Sequence, residues 1–167
     1  MSLARHTGGR HLVGLISDTH GRLDPRVASV FAGVERIVHA GDIGADHVIY
    51  ELEQIAPVTA VLGNCDHGGI PGFDLHDYAR IDVGGVGIGA VHIRRELPNV
   101  PAGVRAVVFG HSHMPLIDSV GGVLWVNPGS ASQARRSPIG RSVAILEIQD
   151  GEFTARIVAL SEAGDTA

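Results

Sequence analysis

The chain has 167 residues, the size of one domain with a core of its own. Its 44% hydrophobic and 19% charged content excludes wholesale disorder, its single cysteine excludes a disulfide framework or a cysteine-built zinc site, and its formal charge of −5 gives no basis for broad nucleic-acid binding. Ten histidines and 23 glycines stand out against 4% aromatics.

Residues 1–10 are basic and polar and read as a tail; residues 11–162 read as one domain and 163–167 as a second tail. The apolar run at 12–16 is interrupted by Gly14 and is too short for a secretory signal core. No stretch approaches the roughly 18 apolar residues of a membrane span, so a cytoplasmic protein without membrane attachment is expected. Residues 11–17 (HLVGLIS) are short, apolar and branched, which predicts a buried strand. Asp24 and Pro25 offer an N-cap and a first-turn proline for a helix reaching about Gly33. Residues 36–39 predict a second strand. Val48, Ile49, Leu52 and Ile55 recur at helical spacing over 46–56, until Pro57 stops the helix. Residues 58–62 predict a third strand, completing a parallel βαβαβ unit. Beyond it, short strands are expected at 75–83, 86–92, 106–110, 116–120, 123–126, 142–149 and 153–160. Gly84-Gly85, Gly121-Gly122 and Asp150-Gly151 are hairpin turn signals. The fold class is α/β, with two packed sheets and helices outside them.

The polar residues fall where the apolar strands stop. The strand ends deliver Ser17-Asp18-Thr19-His20-Gly21, then His39-Ala40-Gly41-Asp42, Gly63-Asn64-Cys65-Asp66-His67, His92, and Gly110-His111-Ser112-His113. Ligands of open α/β sheets gather at the carboxyl ends of strands. Asp18-x-His20 and His111-x-His113 share a spacing that lets two side chains reach one ion or neighbouring ions. A mixed oxygen and nitrogen set suits manganese, iron, nickel or zinc rather than calcium. Taken singly, an Asp-x-His is an ordinary capped turn and a lone histidine an ordinary surface or core residue. Five such clusters at one rim would cost desolvation energy with nothing gained unless they share a ligand. His6, His11, His39, His47 and His76 have no motif partner and are taken as structural or surface residues, His39 being the one near the rim.

In this order, Asp18-x-His20, Gly41-Asp42, Gly63-Asn64, His92 and Gly110-His111-x-His113 resemble the calcineurin-like metallophosphoesterases. Gly63-Asn64-Cys65-Asp66 and Asn127-Pro128-Gly129-Ser130 are similar to the small single-domain bacterial and archaeal branch, which itself resembles the retromer subunit of the same fold. The resemblance implies a four-layer α/β/β/α sandwich of two mixed sheets flanked by helices. It implies two divalent ions, manganese first, with iron, nickel or zinc as alternatives. Asp18, His20, Asp42 and His113 would hold one ion and Asp42, Asn64, His92 and His111 the other. The implied activity is phosphodiester hydrolysis by in-line attack of a bridging hydroxide on a small phosphate ester. A phosphomonoesterase and a non-enzymatic scaffold are the alternatives, and the latter would be expected to have eroded ligands. Small members often form dimers, so a homodimer stays open.

The chain departs from the family pattern at two places. Cys65 stands where many members carry a histidine that acts on the leaving group. His67 is the substitute candidate, and Asn64 and His67 are taken as the catalytic pair; a solvated loop position is the other reading of His67. Cys65 itself is taken as an ordinary small buried residue, and Ser112 as a spacer. After His92 the usual glycine and histidine are replaced by Ile93-Arg94-Arg95, and the segment to His111 is short, so a helix is expected to be trimmed. Arg94 and Arg95 either contact substrate phosphate or form a solvated turn; Arg135 and Arg136 carry the same ambiguity.

Overall fold

The computed structural model describes residues 9–160; residues 1–8 with His6, the last two residues expected in the domain (161–162) and the expected tail 163–167 lie outside the described residues. Ten strands form two five-stranded mixed sheets. The first sheet is built from β1 (Arg10–Ile16), β2 (Arg36–His39), β3 (Val58–Ala60), β9 (Ser142–Gln149) and β10 (Glu152–Ala159), in the order β10-β9-β1-β2-β3. The second holds β4 (Tyr78–Val83), β5 (Val86–Val91), β6 (Val104–Val108), β7 (Leu116–Val120) and β8 (Val123–Asn127), in the order β4-β5-β6-β8-β7.

The first half folds as its periodicity predicts. β1, β2 and β3 are parallel, connected through α1 (Arg26–Val30) and α2 (Asp46–Glu53). Both helices are shorter than expected. After α1, Ala32 and Val34 bond to the carbonyls three residues back, Ser29 and Phe31. After α2, Gln54 and Ile55 bond to those of Glu51 and Leu52. The last turns therefore tighten into 3-10 geometry. Pro25, rather than Asp24, holds the N-cap position of α1, and the Asp24 carboxylate one residue before it accepts the Arg26 N–H at 2.9 Å.

In the second half the three glycine-bearing turns close antiparallel hairpins, β4–β5, β7–β8 and β9–β10, each with two successive residues at positive φ. Hairpin spacing does not carry over to the rest. β5–β6 and β6–β8 are parallel, and β9 pairs antiparallel with β1, returning the C-terminal hairpin to the first sheet.

Alternation along the strands sorts the side chains into layers. Val13, Leu15, Val38, Ala144 and Leu146 pack against Ile88, Ala90, Ala106, Val108 and Val126 between the sheets. Ile16, Ile37, Val143 and Ile145 face outward and are covered by Val27 and Phe31 of the first helical turn and by Val48, Ile49 and Leu52 of α2. The outer face of the second sheet, Val107, Phe109 and Trp125, is covered by Leu97 and Val100. In place of a full helix, the short segment between His92 and His111 holds a 3-10 turn, Arg94–Glu96. Among the described residues no helix is long and apolar enough to cross a membrane.

Candidate metal centre

The five polar strand ends meet at one rim. Asp18 and His20 follow β1, Asp42 follows β2, Asn64 follows β3, His92 follows β5, and His111 and His113 follow β6. Asp18, His20, Asp42, His111 and His113 all have positive φ, between 46° and 74°. A side chain other than glycine pays for left-handed backbone, on the order of 1–3 kcal/mol each, and such strain collects at functional sites. It is held in place by backbone bonds between the first two loops: Asp18 N–H to Gly41 O at 3.0 Å and His20 N–H to Asp42 O at 3.0 Å.

The centre of the cluster is the Asp18 carboxylate. Its Oδ2 accepts the Ser17 hydroxyl at 2.7 Å and the His111 N–H at 3.1 Å. Its Oδ1 is buried with no hydrogen-bond donor. His113 Nε2 at 3.3 Å, His20 Nε2 at 3.8 Å and His92 Nε2 at 3.9 Å surround that oxygen. Asp42 Oδ1 accepts the Cys65 N–H at 2.8 Å, while Oδ2 lies 3.3 Å from His92 Nε2 and 3.8 Å from His20 Nε2. Asn64 Oδ1 lies 2.9 Å from His92 Nε2 and 3.0 Å from His111 Nδ1.

The histidines are aimed from behind. His92 Nδ1–H donates to Ala40 O at 2.7 Å and His113 Nδ1–H donates to Gln133 O at 2.9 Å. Each turns Nε2 toward the carboxylates, as backbone carbonyls do for metal-ligating imidazoles. Burial pushes the Asp18 and Asp42 carboxyls up. For Asp18 this is outweighed by His113, Ser17 and the His92 charge, and for Asp42 by His92 and the Cys65 N–H, so both stay below the usual carboxylate range. Burial pushes His92 down, but Asp42, Asp18 and the Ala40 carbonyl raise it above its ordinary value.

A buried carboxylate oxygen without a donor, ringed by imidazole nitrogens and a second carboxylate, fits a divalent cation and would otherwise be an unexplained cost. Asp18, His20 and His113 could hold one ion, and Asp18, Asp42 and His92 offer a second set of converging donors. The exposed Asn64 and His111 edge the opening.

Cys65 is exposed, not buried. Its Sγ converges with His20 and Asp42 donors. Desolvation and the Asp42 carboxylate push the thiol up. His67 is exposed and, among the described residues, makes no hydrogen bond or ion pair. Arg94 is not turned to the rim: it donates to Asp118 Oδ2 at 2.9 Å and lies over Trp125, 4.6 Å from the ring centroid, on the outer face of the second sheet. Arg95 is exposed. Ser112 is more than a spacer, because its Oγ accepts from Asn127 Nδ2 at 3.1 Å and from Met114 N–H at 3.2 Å.

Three groups to which the sequence assigned no part in the site support it. Asp66 is buried, and its carboxylate accepts the N–H of Ile43, Gly44 and Gly63 at 3.1, 3.0 and 2.9 Å, tying the second and third ligand loops together. An aspartate in the turn three residues after Gly63 is the only local signal for it. The Asn127-Pro128-Gly129-Ser130 loop serves two ligand loops at once. Asn127 Nδ2 donates to Gly110 O at 3.2 Å, and Ser130 Oγ donates to Asp18 O at 2.7 Å.

His39 is the third. It is fully buried, with Nδ1 accepting the Gly41 N–H at 3.1 Å and Nε2–H donating to Thr19 Oγ1 at 3.0 Å. Both nitrogens are used by the neutral ring, and burial pushes its pKa down to about 4. The unfolded chain therefore binds a proton at His39 that the folded chain refuses. The stability this represents is complete above about pH 6.5 and is lost as the pH falls toward 4, a loss on the order of 3 kcal/mol. Urea unfolding of the metal-stripped protein from pH 7 to 4.5 is expected to show a flatter pH slope for His39→Gln than for the wild type. Equal slopes would remove His39 from this role.

The calcineurin-like phosphoesterase superfamily domain model matches residues 12–151. A probable metallophosphoesterase of Methanothermobacter thermautotrophicus is 33% identical over 88% of this chain and 91% of its own. Two solved structures share the fold. Vacuolar protein sorting 29 from Cryptosporidium parvum has a TM-score of 0.69 at 21% identity, covering 92% of this chain and 99% of its own. An archaeal phosphodiesterase has a TM-score of 0.67 at 22% identity, covering 88% and 99%. The family match spans all five ligand-bearing strand ends, and the chain belongs to the calcineurin-like phosphoesterase superfamily.

Proposed function

We propose that this chain is a phosphodiesterase that uses two divalent ions, with manganese the preferred metal, to hydrolyse small phosphate esters. Asp18, His20, Asp42 and His113 would hold one ion, and Asp42, Asn64, His92 and His111 the other. The observation that carries this reading is the donor-less, buried Asp18 Oδ1 at the focus of side chains from separate strands. Bound ions supply positive charge for the phosphoryl oxygens and a water of lowered pKa. Asp18 and Asp42 hold the negative charge that retains the ions. The Ala40 and Gln133 carbonyls fix the His92 and His113 rings. Exposed Asn64 and His111 would meet the incoming ester.

A diester is favoured because no strong proton donor stands beside the focus. Cys65 stands at the position where many family members carry a histidine, and His67 is exposed with no hydrogen bond among the described residues. Both features leave the part of the family histidine unfilled, which weighs against a strong monoesterase. The likeness to an archaeal phosphodiesterase supports the same choice.

The deciding experiment strips the protein of metal and reconstitutes it with manganese, iron, nickel or zinc. Aryl diesters and the matching monoesters are then assayed, with elemental analysis of each sample. Two ions per chain, activity only after reconstitution and faster diester turnover are expected. Full hydrolysis by the stripped protein refutes the reading, and faster monoester turnover makes the enzyme a monoesterase. Two bound ions with no turnover of either ester would point to the scaffold role that the likeness to vacuolar protein sorting 29 raises.

A further inference from the structure

The arginines are not spread evenly around the rim. Arg22 lies in the loop that carries Asp18 and His20, Arg26 opens α1 just after it, and Arg135, Arg136 and Arg141 lie in the loop that follows Asn127. Besides the ligand Asp18, the only carboxylate in these two loops is Asp24. The loops are bonded to each other and to the centre. Ser130 and Ser132 Oγ donate to Asp18 O at 2.7 and 3.0 Å, and Ala131 N–H donates to Ser17 O at 3.2 Å.

Between the loops lies a cavity of about 200 Å³ lined by Arg22, Leu23, Asp24, Ala131, Ser132 and Arg141. Since a water's share of liquid volume is about 30 Å³, the cavity has room for a phosphate-sized group. Buried Asp24 is already committed, to Arg26 Nε at 3.0 Å and Arg141 Nη1 at 2.9 Å. It orients Arg141 without cancelling Arg22, which has no ion-pair partner among the described residues. A second cavity of similar size, beside Asn64 and His92, has the reverse charge and is lined by Asp77 and Glu96. On a chain of net charge −5, a local arginine pair facing a cavity focuses an attractive field on an anion. The planar guanidinium fork matches phosphate oxygens.

We infer that the cavity between Arg22 and Arg141 binds a second phosphate of the substrate, which rests on the phosphodiesterase reading for the position of the first. The substrate class is then a phosphodiester whose retained part carries a further phosphate on a short linker, with its uncharged or cationic leaving part toward Asp77 and Glu96.

The test compares thymidine 3′,5′-bisphosphate with thymidine 5′-monophosphate on the manganese-loaded full chain by calorimetry. The bisphosphate is expected to bind roughly tenfold more tightly, a ratio that falls toward one in Arg22→Gln and in Arg141→Gln. Arg22 makes no ion pair among the described residues, so its variant keeps the test valid if loss of the Asp24 pair unfolds the other. The 5′-(p-nitrophenyl phosphate) esters of thymidine, with and without a 3′-phosphate, add a kinetic arm with the same expected ratio in kcat/KM. Equal binding and equal turnover of each pair overturn the second phosphate site while leaving the phosphodiesterase reading intact. An Arg22-dependent preference in binding with no turnover of either ester upholds the site and overturns that reading.

Discussion

Asp42→Asn is expected to lose metal and phosphoester hydrolysis together while the chain stays folded. The amide keeps the acceptor that the Cys65 N–H uses at 2.8 Å, so the loop between the second and third ligand blocks retains its bond. It removes the negative charge at the edge that faces His92 at 3.3 Å and His20 at 3.8 Å. The carboxylate charge of the centre falls from −2 to −1, and the only ligand proposed to serve both ions loses its ability to do so. Loss of a group that merely supports a ligand costs 10–100-fold in metal affinity, so a shared charged ligand should cost roughly 100-fold or more. The check is metal content after dialysis, manganese-dependent turnover and circular dichroism on one sample. A variant with wild-type metal content and rate would contradict the assignment of Asp42.

Gly63→Ala is expected to be nearly as damaging although it changes no ligand. A Cβ at Gly63 would overlap Asp42 Oδ1 and the Asp42 backbone nitrogen. The neighbour is backbone and a side chain pinned by the Cys65 N–H, so neither can give way cheaply. Gly63 is also tied by its own N–H to Asp66 Oδ2 at 2.9 Å. The methyl must push the second and third ligand loops apart, and overpacking of this kind costs roughly 1–3 kcal/mol. A lower denaturation midpoint together with weaker manganese binding is the expected result. Normal metal affinity in the alanine variant would show that the loops do not approach this closely.

The same rim explains why some of the chemistry was legible and some was not. Asp18, His20, Asp42, Asn64, His92, His111 and His113 could be picked out because each follows an apolar run, and runs of branched residues announce strands. The backbone that aims them could not. Asp18, His20, Asp42, His111 and His113 sit in left-handed conformations, which L-residues adopt only where bonds from other parts of the chain hold them. Local propensity is silent about such bonds. Cys65 was misjudged for a related reason: a small thiol is usually buried, but here it stands on the exposed side of a ligand turn. Arg94 went astray because the outer face of the second sheet offers it Asp118 and Trp125, neither of which is near it in sequence.

The sequence by itself determined the alternation of strands and helices in the first half, the hairpins at Gly84-Gly85, Gly121-Gly122 and Asp150-Gly151, and the donor types at each strand end. These follow from side-chain periodicity and turn chemistry, which act over a few residues. Only the tertiary structure decided that β9 returns to pair with β1, that β6 runs parallel to both its neighbours, and that Asp66, Asn127 and Ser130 brace the rim. Those choices depend on which buried faces and unpaired backbone groups can satisfy one another across many intervening residues, and such long-range pairing leaves little mark on the local pattern.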